Sequence, residues 1–210
     1  MKPDIAIFIL AGFLLISACR DDGSTSATSN DQKPSDVKRI LFLGNSITAG
    51  FGLDQSQSFP AIIGRRLEES GQNWEILNAG ISGDSSRGGL KRTDRLLRRP
   101  IDILVLELGL NDEIARRPAE ATGSDLRAIV AKCRSENPSL EVILLAFYLP
   151  PPYGIPNYPE MYRRLGAEME CPLIEFPLNH FTRSELQPDG VHPSPEGQRK
   201  IAEKVWEEIR

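Results

Sequence analysis

The chain has 210 residues, with 25 Lys and Arg against 29 Asp and Glu and a net charge of −4. It has neither a basic stripe nor an Arg/Lys run with interleaved aromatics, so nucleic acid is not an expected partner. Two histidines and three cysteines form no cluster at metal-ligand spacing, so no metal and no cofactor is expected.

Residues 1–18 read as a signal peptide. Lys2 gives a short charged start, weakened by Asp4, and Ile5 to Ile16 is an unbroken apolar run of twelve residues. A spanning helix needs about 20, whereas this length suits the hydrophobic part of a signal. Ile16-Ser17-Ala18-Cys19 resembles the lipobox of bacterial lipoproteins. The resemblance implies cleavage before Cys19, a lipid on that cysteine, and an exported protein anchored on the periplasmic or cell-surface side of a membrane. The alternative is an ordinary secretory signal with Cys19 incidental. Residues 19–36 are small and polar and cannot repay their ordering entropy. As a flexible tether they would span roughly 20–25 Å. Residues 37–210 fit one domain with a sizeable core, expected to be a monomer. Cys133 and Cys171 either pair, as an exported compartment permits, or stay as thiols.

From Val37 short apolar runs alternate with amphipathic segments. The first strand is Arg39 to Leu43, cut off by Gly44-Asn45-Ser46. A helix follows from Ser58 to Ser70, with Phe59, Ile62, Ile63 and Leu67 on one face and Gly71 as its stop. The second strand, Trp74 to Leu77, ends in Asn78-Ala79-Gly80. After Ile81-Ser82-Gly83-Asp84 a helix runs to about Arg98, where Arg95, Arg98 and Arg99 read as a solvated face. The third strand is Ile103 to Leu108, followed by Gly109-Leu110-Asn111-Asp112. Then come a helix from Ser124 to Ser135, a strand from Val142 to Ala146, and a Pro-rich loop. A helix from Pro159 to Met169, a fifth strand from Leu173 to Phe176 and a last helix from Pro195 to Ile209 complete the chain.

This alternation predicts an α/β fold: a three-layer α/β/α arrangement around a flavodoxin-like five-stranded parallel sheet, in the order 2-1-3-4-5. Strands one and three then neighbour each other at the topological switch point. Ser46, Gly83 and Asn111, each just past a strand, open onto one crevice. The loop after strand five has about fifteen residues in which to reach it, ample at roughly 3.3 Å per residue.

Taken singly, these residues have plain structural readings as turn and cap chemistry. Together they fit nucleophilic catalysis. A serine hydroxyl is a weak nucleophile that needs a base. Of the two histidines, only His192 has a carboxylate, Asp189, three residues before it; His180 has none. One loop turn can aim Asp189 at the imidazole, fix its tautomer and stabilise its charge. Attack on an ester develops an oxyanion, for which the backbone N–H groups of Ser46 and Gly83 and the side-chain amide of Asn111 are candidate donors. Because the base works only when neutral, activity is expected to rise with pH.

Gly44-Asn45-Ser46-Ile47, Gly83, Gly109-Leu110-Asn111-Asp112 and Asp189-Gly190-Val191-His192 resemble the four motif blocks of the SGNH (GDSL-type) hydrolases. The likeness spans essentially the whole domain. Asn78 to Asp84 and the Pro-Pro-Tyr-Gly loop look nearest the bacterial arylesterase, thioesterase I and lysophospholipase L1 branch. The resemblance implies a serine esterase working through an acyl-enzyme. Ser46 would be the nucleophile, Asp189 and His192 would complete the triad, and Ser46, Gly83 and Asn111 would form the oxyanion hole. The substrate would be a small-molecule or lipid ester, with a carbohydrate O-acetyl ester as the alternative. Two positions depart from the family pattern: Asn45 stands where Asp is usual, and Ile47 where Leu is usual. Both read as tolerated variation, with Asn45 leaving the local turn geometry open. Glu113-Ile114-Ala115 and Leu149 to Tyr158 fall on the acyl side, or serve only as packing.

Two rival readings stand beside this one. A flavin-type phosphate loop would use Ser46 and Thr48 but gives Asn111, Asp189 and His192 no role; it is no Walker loop either. A lipoprotein that only binds lipid or glycan would have no need of the filled catalytic positions.

Overall fold

β1 (Lys38–Gly44) is apolar from Ile40 to Leu43, and each of those side chains is fully buried. A strand sends successive side chains to opposite faces. Leu41 and Leu43 therefore enter one core, and Ile40 and Phe42 another. The same alternation divides β3 (Ile103–Glu107) and β4 (Glu141–Tyr148). Leu104, Leu106 and Leu144 join the first core, while Val105, Leu145 and Phe147 join the second. With β2 (Trp74–Gly80) and β5 (Leu173–Pro177) at the edges, the strands form one parallel sheet ordered β2-β1-β3-β4-β5. The computed structural model describes residues 37–209. The signal peptide, the lipid site at Cys19 and the tether expected from the sequence lie outside the described residues.

Helices cover both faces. α2 (Phe59–Glu69) and α7 (Pro195–Ile209) close the second core with Phe59, Ile63, Leu67, Ile201 and Val205. α3 (Ser86–Leu96), α5 (Ala119–Glu136) and α6 (Asn157–Met169) close the first, with Leu126, Ile129, Tyr162 and Leu165 at its centre. The result is the expected three-layer α/β/α fold. The chain leaves β1 outward to β2, then crosses back to β3 on the other side of β1. The loops after β1 and β3 diverge there, which opens a crevice at the C-terminal edge of the sheet.

Local details differ from the sequence expectation. Ser46 and Asn111, read as turn residues, lie in one-turn helices: α1 (Ser46–Ala49) after β1 and α4 (Leu110–Ile114) after β3. Asn78-Ala79-Gly80 looks like turn chemistry but continues β2, paired in register with Phe42, Leu43 and Gly44. α3 ends at Leu96 rather than near Arg98. α5 begins at Ala119, ahead of the expected Ser124, because Gly123 sits inside the helix. An added Cβ on Gly123 would come within 3.1 Å of Met161, so this glycine permits the close approach of α6. Cys133 is buried, Cys171 is half-buried, and both are free thiols.

Candidate active site

The turn that ends β1 is built around a buried carboxylate. Glu107, the last residue of β3, is fully buried beside Gly44. One of its oxygens accepts the Asn45 Nδ2–H at 2.7 Å. The other accepts the Asn45 backbone N–H at 3.1 Å and the Thr48 hydroxyl at 2.8 Å. A side chain on Gly44 would run into both Thr48 and Glu107, at 2.0 and 2.7 Å, so the strand has to end on glycine. Asn45 Oδ1 accepts the Ile47 N–H at 2.8 Å and caps α1. Asn45 is therefore more than tolerated variation: it joins the carboxylate behind the turn to the helix in front of it. Burial pushes the Glu107 carboxyl up to about 7, against hydrogen bonds from Thr48 and Asn45 that favour its charge.

This turn presents Ser46 as the first residue of α1. Its Oγ lies 2.9 Å from His192 Nε2, and His192 Nδ1 lies 2.7 Å from Asp189 Oδ2. The other Asp189 oxygen accepts the backbone N–H groups of Val191 and His192, at 2.9 and 3.0 Å. Gly190, at φ 72°, supplies the left-handed residue that lets the carboxylate fold back onto its own turn. Partial burial works to raise the Asp189 carboxyl. The two backbone N–H groups and the imidazole outweigh it and hold the group down at about 2.

The histidine loop is fastened to the serine turn at two points. Gln187 donates through Nε2 to the carbonyls of Phe51 and Pro193, at 2.7 and 3.0 Å, and its backbone N–H donates to His192 O at 2.7 Å. Buried Gln198 on α7 donates to Ile47 O at 3.0 Å and accepts the Phe59 N–H at 2.8 Å. Phe51 lays its ring against the imidazole, with centroids 4.6 Å apart.

The loops that carry Gly83 and Asn111 are joined through Asp84. Asn111 Nδ2 donates to the carbonyl of Asp84 at 2.8 Å, which leaves its second hydrogen for another acceptor. Gly83 has φ 79°, and no atom lies within 4 Å of where its side chain would begin. The Ser46 N–H, at the first position of a helix, has no intrahelical partner. Arg92 knits this side together, pairing with Asp84 at 2.8 Å and donating to Gly44 O at 3.0 Å. Buried Asp112 accepts both the N–H and the hydroxyl of Ser86, each at 2.8 Å, and so holds α4 to the start of α3. His180, set aside on sequence grounds, is exposed away from this cluster. Among the described residues no group of His, Cys, Asp and Glu is placed to hold a metal.

The sequence reading did not single out Glu107, Arg92 or Gln187. Only Glu107 carried a signal: it is the one charged residue closing an otherwise apolar buried strand, Ile103-Leu104-Val105-Leu106.

Residues 42–200 match the model of the GDSL-like lipase/acylhydrolase family. The chain belongs to that family. This GDSL-type hydrolase is 35% identical to the esterase TesA of Pseudomonas aeruginosa over 182 residues, covering 83% of this chain and 89% of that protein. It is 32% identical to the arylesterase of Vibrio mimicus, covering 82% and 88% of the two chains. Among solved structures, that of TesA superposes with a TM-score of 0.75 at 34% identity, covering 82% of this chain and 98% of that one. The psychrotrophic esterase EstA of Pseudoalteromonas sp., solved as inhibited by monoethylphosphonate, gives a TM-score of 0.72 at 27% identity, with 82% and 96% covered. The hydrolase is thus a carboxylic ester hydrolase of SGNH type.

The buried Glu107 gives the GDSL-type hydrolase a pH-dependent stability. The folded protein keeps a proton on Glu107 up to about 7, whereas a carboxyl at its ordinary 4.5 releases it in the unfolded chain. Its stabilising contribution is full below about 4.5 and lost as pH rises through about 7. Thermal unfolding between about pH 5 and about pH 8 is expected to show wild type losing more stability than Glu107→Gln, by at most on the order of 3 kcal/mol. Parallel pH profiles for the two proteins would contradict this.

Proposed function

We propose that the enzyme hydrolyses acyl esters through a covalent acyl-enzyme on Ser46. The observation that carries this reading is the unbroken line Asp189–His192–Ser46, with contacts of 2.7 and 2.9 Å. His192 takes the Ser46 hydroxyl proton as Oγ bonds to the ester carbonyl carbon. The imidazolium that forms is stabilised by the Asp189 carboxylate. The tetrahedral oxyanion is met by the Ser46 and Gly83 N–H groups and the free Asn111 N–H. His192 then gives its proton to the departing alcohol oxygen as the carbon–oxygen bond breaks. A water, deprotonated by His192, attacks the acyl carbon; the bond to Oγ breaks, His192 returns the proton to Oγ, and the carboxylic acid leaves.

An arylesterase, thioesterase or lysophospholipase-like range of substrates is favoured by the names of two relatives, the arylesterase of Vibrio mimicus and the thioesterase 1/protease 1/lysophospholipase L1 of Escherichia coli, the latter 31% identical over 179 residues. Phe51 and Ile81, on the loops after β1 and β2, and Ile114, at the end of α4, stand half-exposed. That apolar rim favours acyl chains and aryl leaving groups over acetylated sugars. Lipid attachment at Cys19 completes the proposal, supported by the sequence before it. Growth with an alkyne fatty acid is expected to tag the wild-type chain and not Cys19→Ala; equal tagging would remove the anchor.

Ser46→Ala is expected to lower kcat on an aryl ester by on the order of 10⁴–10⁶ while leaving the melting temperature near wild type. Asn111→Ala is expected to cost on the order of 10²–10³, mostly in kcat, because the oxyanion exists only along the reaction path. Near-normal turnover in Ser46→Ala, or an Asn111 effect confined to KM, would reject these roles.

A further inference from the structure

α4 carries a second buried carboxylate that the chemistry above does not use. Glu113 is fully buried two residues after Asn111. One of its oxygens accepts the backbone N–H of Leu149 and the other that of Ile155, both at 2.8 Å. These two amides bracket the Pro-rich loop between β4 and α6. Within the loop, Pro150, Pro151 and Pro152 have no N–H to give. The remaining two donors, Tyr153 and Gly154, both turn back onto Pro150 O, at 3.0 and 3.1 Å. Every backbone donor from Leu149 to Ile155 is then accounted for, and the only acceptor from outside the loop is Glu113. Gly154 makes room for it: a Cβ there would lie 2.0 Å from Leu149 O and 3.0 Å from a Glu113 oxygen.

A buried carboxylate is costly unless its bonds do something. Here it ties two surfaces of the crevice together. α4 brings Asn111 and the half-exposed Ile114. The loop brings exposed Tyr153 and a cavity of about 330 Å³ lined by Leu149, Pro151, Pro152, Ile155 and Pro159. β4 lies two strands from β1 in the sheet, a lateral offset of about 10 Å. On that offset an acetyl group on Ser46 would stop short of the cavity, whereas a medium-length acyl chain would be long enough to span it.

We propose that Glu113 is a specificity-determining positioning residue: its carboxylate latches the 149–155 loop to α4 and so holds the far wall of the acyl site. The inference rests on the acyl-ester reading of Ser46. In wild type the wall is already in place, so a longer chain gains apolar contact without ordering the loop first. Gln at position 113 keeps one acceptor and turns an amide N–H toward the other loop donor, which frees one end of the loop.

The test compares 4-nitrophenyl acetate and 4-nitrophenyl octanoate on wild type, Glu113→Gln and Gly154→Ala, with amide hydrogen exchange on each protein. Both variants are expected to lower the octanoate-to-acetate ratio of kcat/KM at least about tenfold, the scale on which apolar contacts discriminate chain length. The loss should sit mainly in KM for octanoate. In Glu113→Gln the amides of Leu149 and Ile155 should exchange faster than in wild type. An unchanged ratio in both variants, or an equal loss on both esters, would overturn the proposal. If wild type hydrolysed neither ester, the acyl-ester reading would fall; exchange at Leu149 and Ile155 unchanged by Glu113→Gln would then sink the latch separately.

Discussion

The carboxylate of Glu107 is the point on which the serine turn hangs. It sits where β1 and β3 end side by side, in a sheet interior that excludes water. Removing a carboxylate from water costs several kcal/mol, while a hydrogen bond to a charged group returns about 1.5–3 kcal/mol. Three hydrogen bonds, from Asn45 twice and Thr48 once, offset only part of that cost, and burial still holds the carboxyl up at about 7. What they supply is geometry. The strand must stop at Gly44, the chain must turn through Asn45, and Ser46 must open a helix with its N–H unused.

From that fixed turn the site is assembled out of distant parts of the chain. Ser46 and His192 are 146 residues apart and belong to the centre and the edge of the sheet. The loop after β5 has to cross β4 and β3 to reach β1, and Leu178, Phe181, Leu186 and Val191 pack it onto the second core on the way. Gln187 and Gln198 then fix its end, by tying carbonyls of the serine segment to the histidine turn and α7. On the opposite wall Arg92, Asp84 and Asp112 serve the same purpose for the Gly83 and Asn111 loops. Each wall of the crevice is thus aligned by polar side chains reaching across loops that the apolar cores anchor to the sheet beneath.

That division explains what could be read from the sequence. The strands were legible because Ile40 to Leu43, Ile103 to Leu106 and Val142 to Ala146 are continuous apolar runs. Their alternation with amphipathic segments was enough for the strand order. Ser46, Asp189 and His192 were legible because their residue types and spacing point to one chemistry, and the loops converge as the topology requires. The failures occurred where local chemistry misleads. Asn78-Ala79-Gly80 has turn composition but is held in the sheet by β1. Gly123 has loop composition but is demanded by Met161 across a helix contact. Gln187 and Gln198 gave no signal, because their partners are backbone groups that no side-chain pattern reveals. Arg92 meets Asp84 and a strand-end carbonyl that only the fold brings together. Glu113 was placed on the acyl side or in packing, without the loop amides it holds. The departure at Asn45 was visible, but its meaning needed Glu107 beside it.

The central claim is that this framework makes Ser46, and no other hydroxyl, a nucleophile. The most direct measurement treats the folded enzyme with an activated ethyl phosphonate ester and maps the adduct by peptide mass spectrometry, alongside residual activity. The account predicts one ethylphosphonyl group, on Ser46, forming in step with loss of esterase activity and failing to form when His192 is replaced by alanine. Full inactivation with the adduct on another residue, or stoichiometric labelling of Ser46 with esterase activity intact, would contradict it.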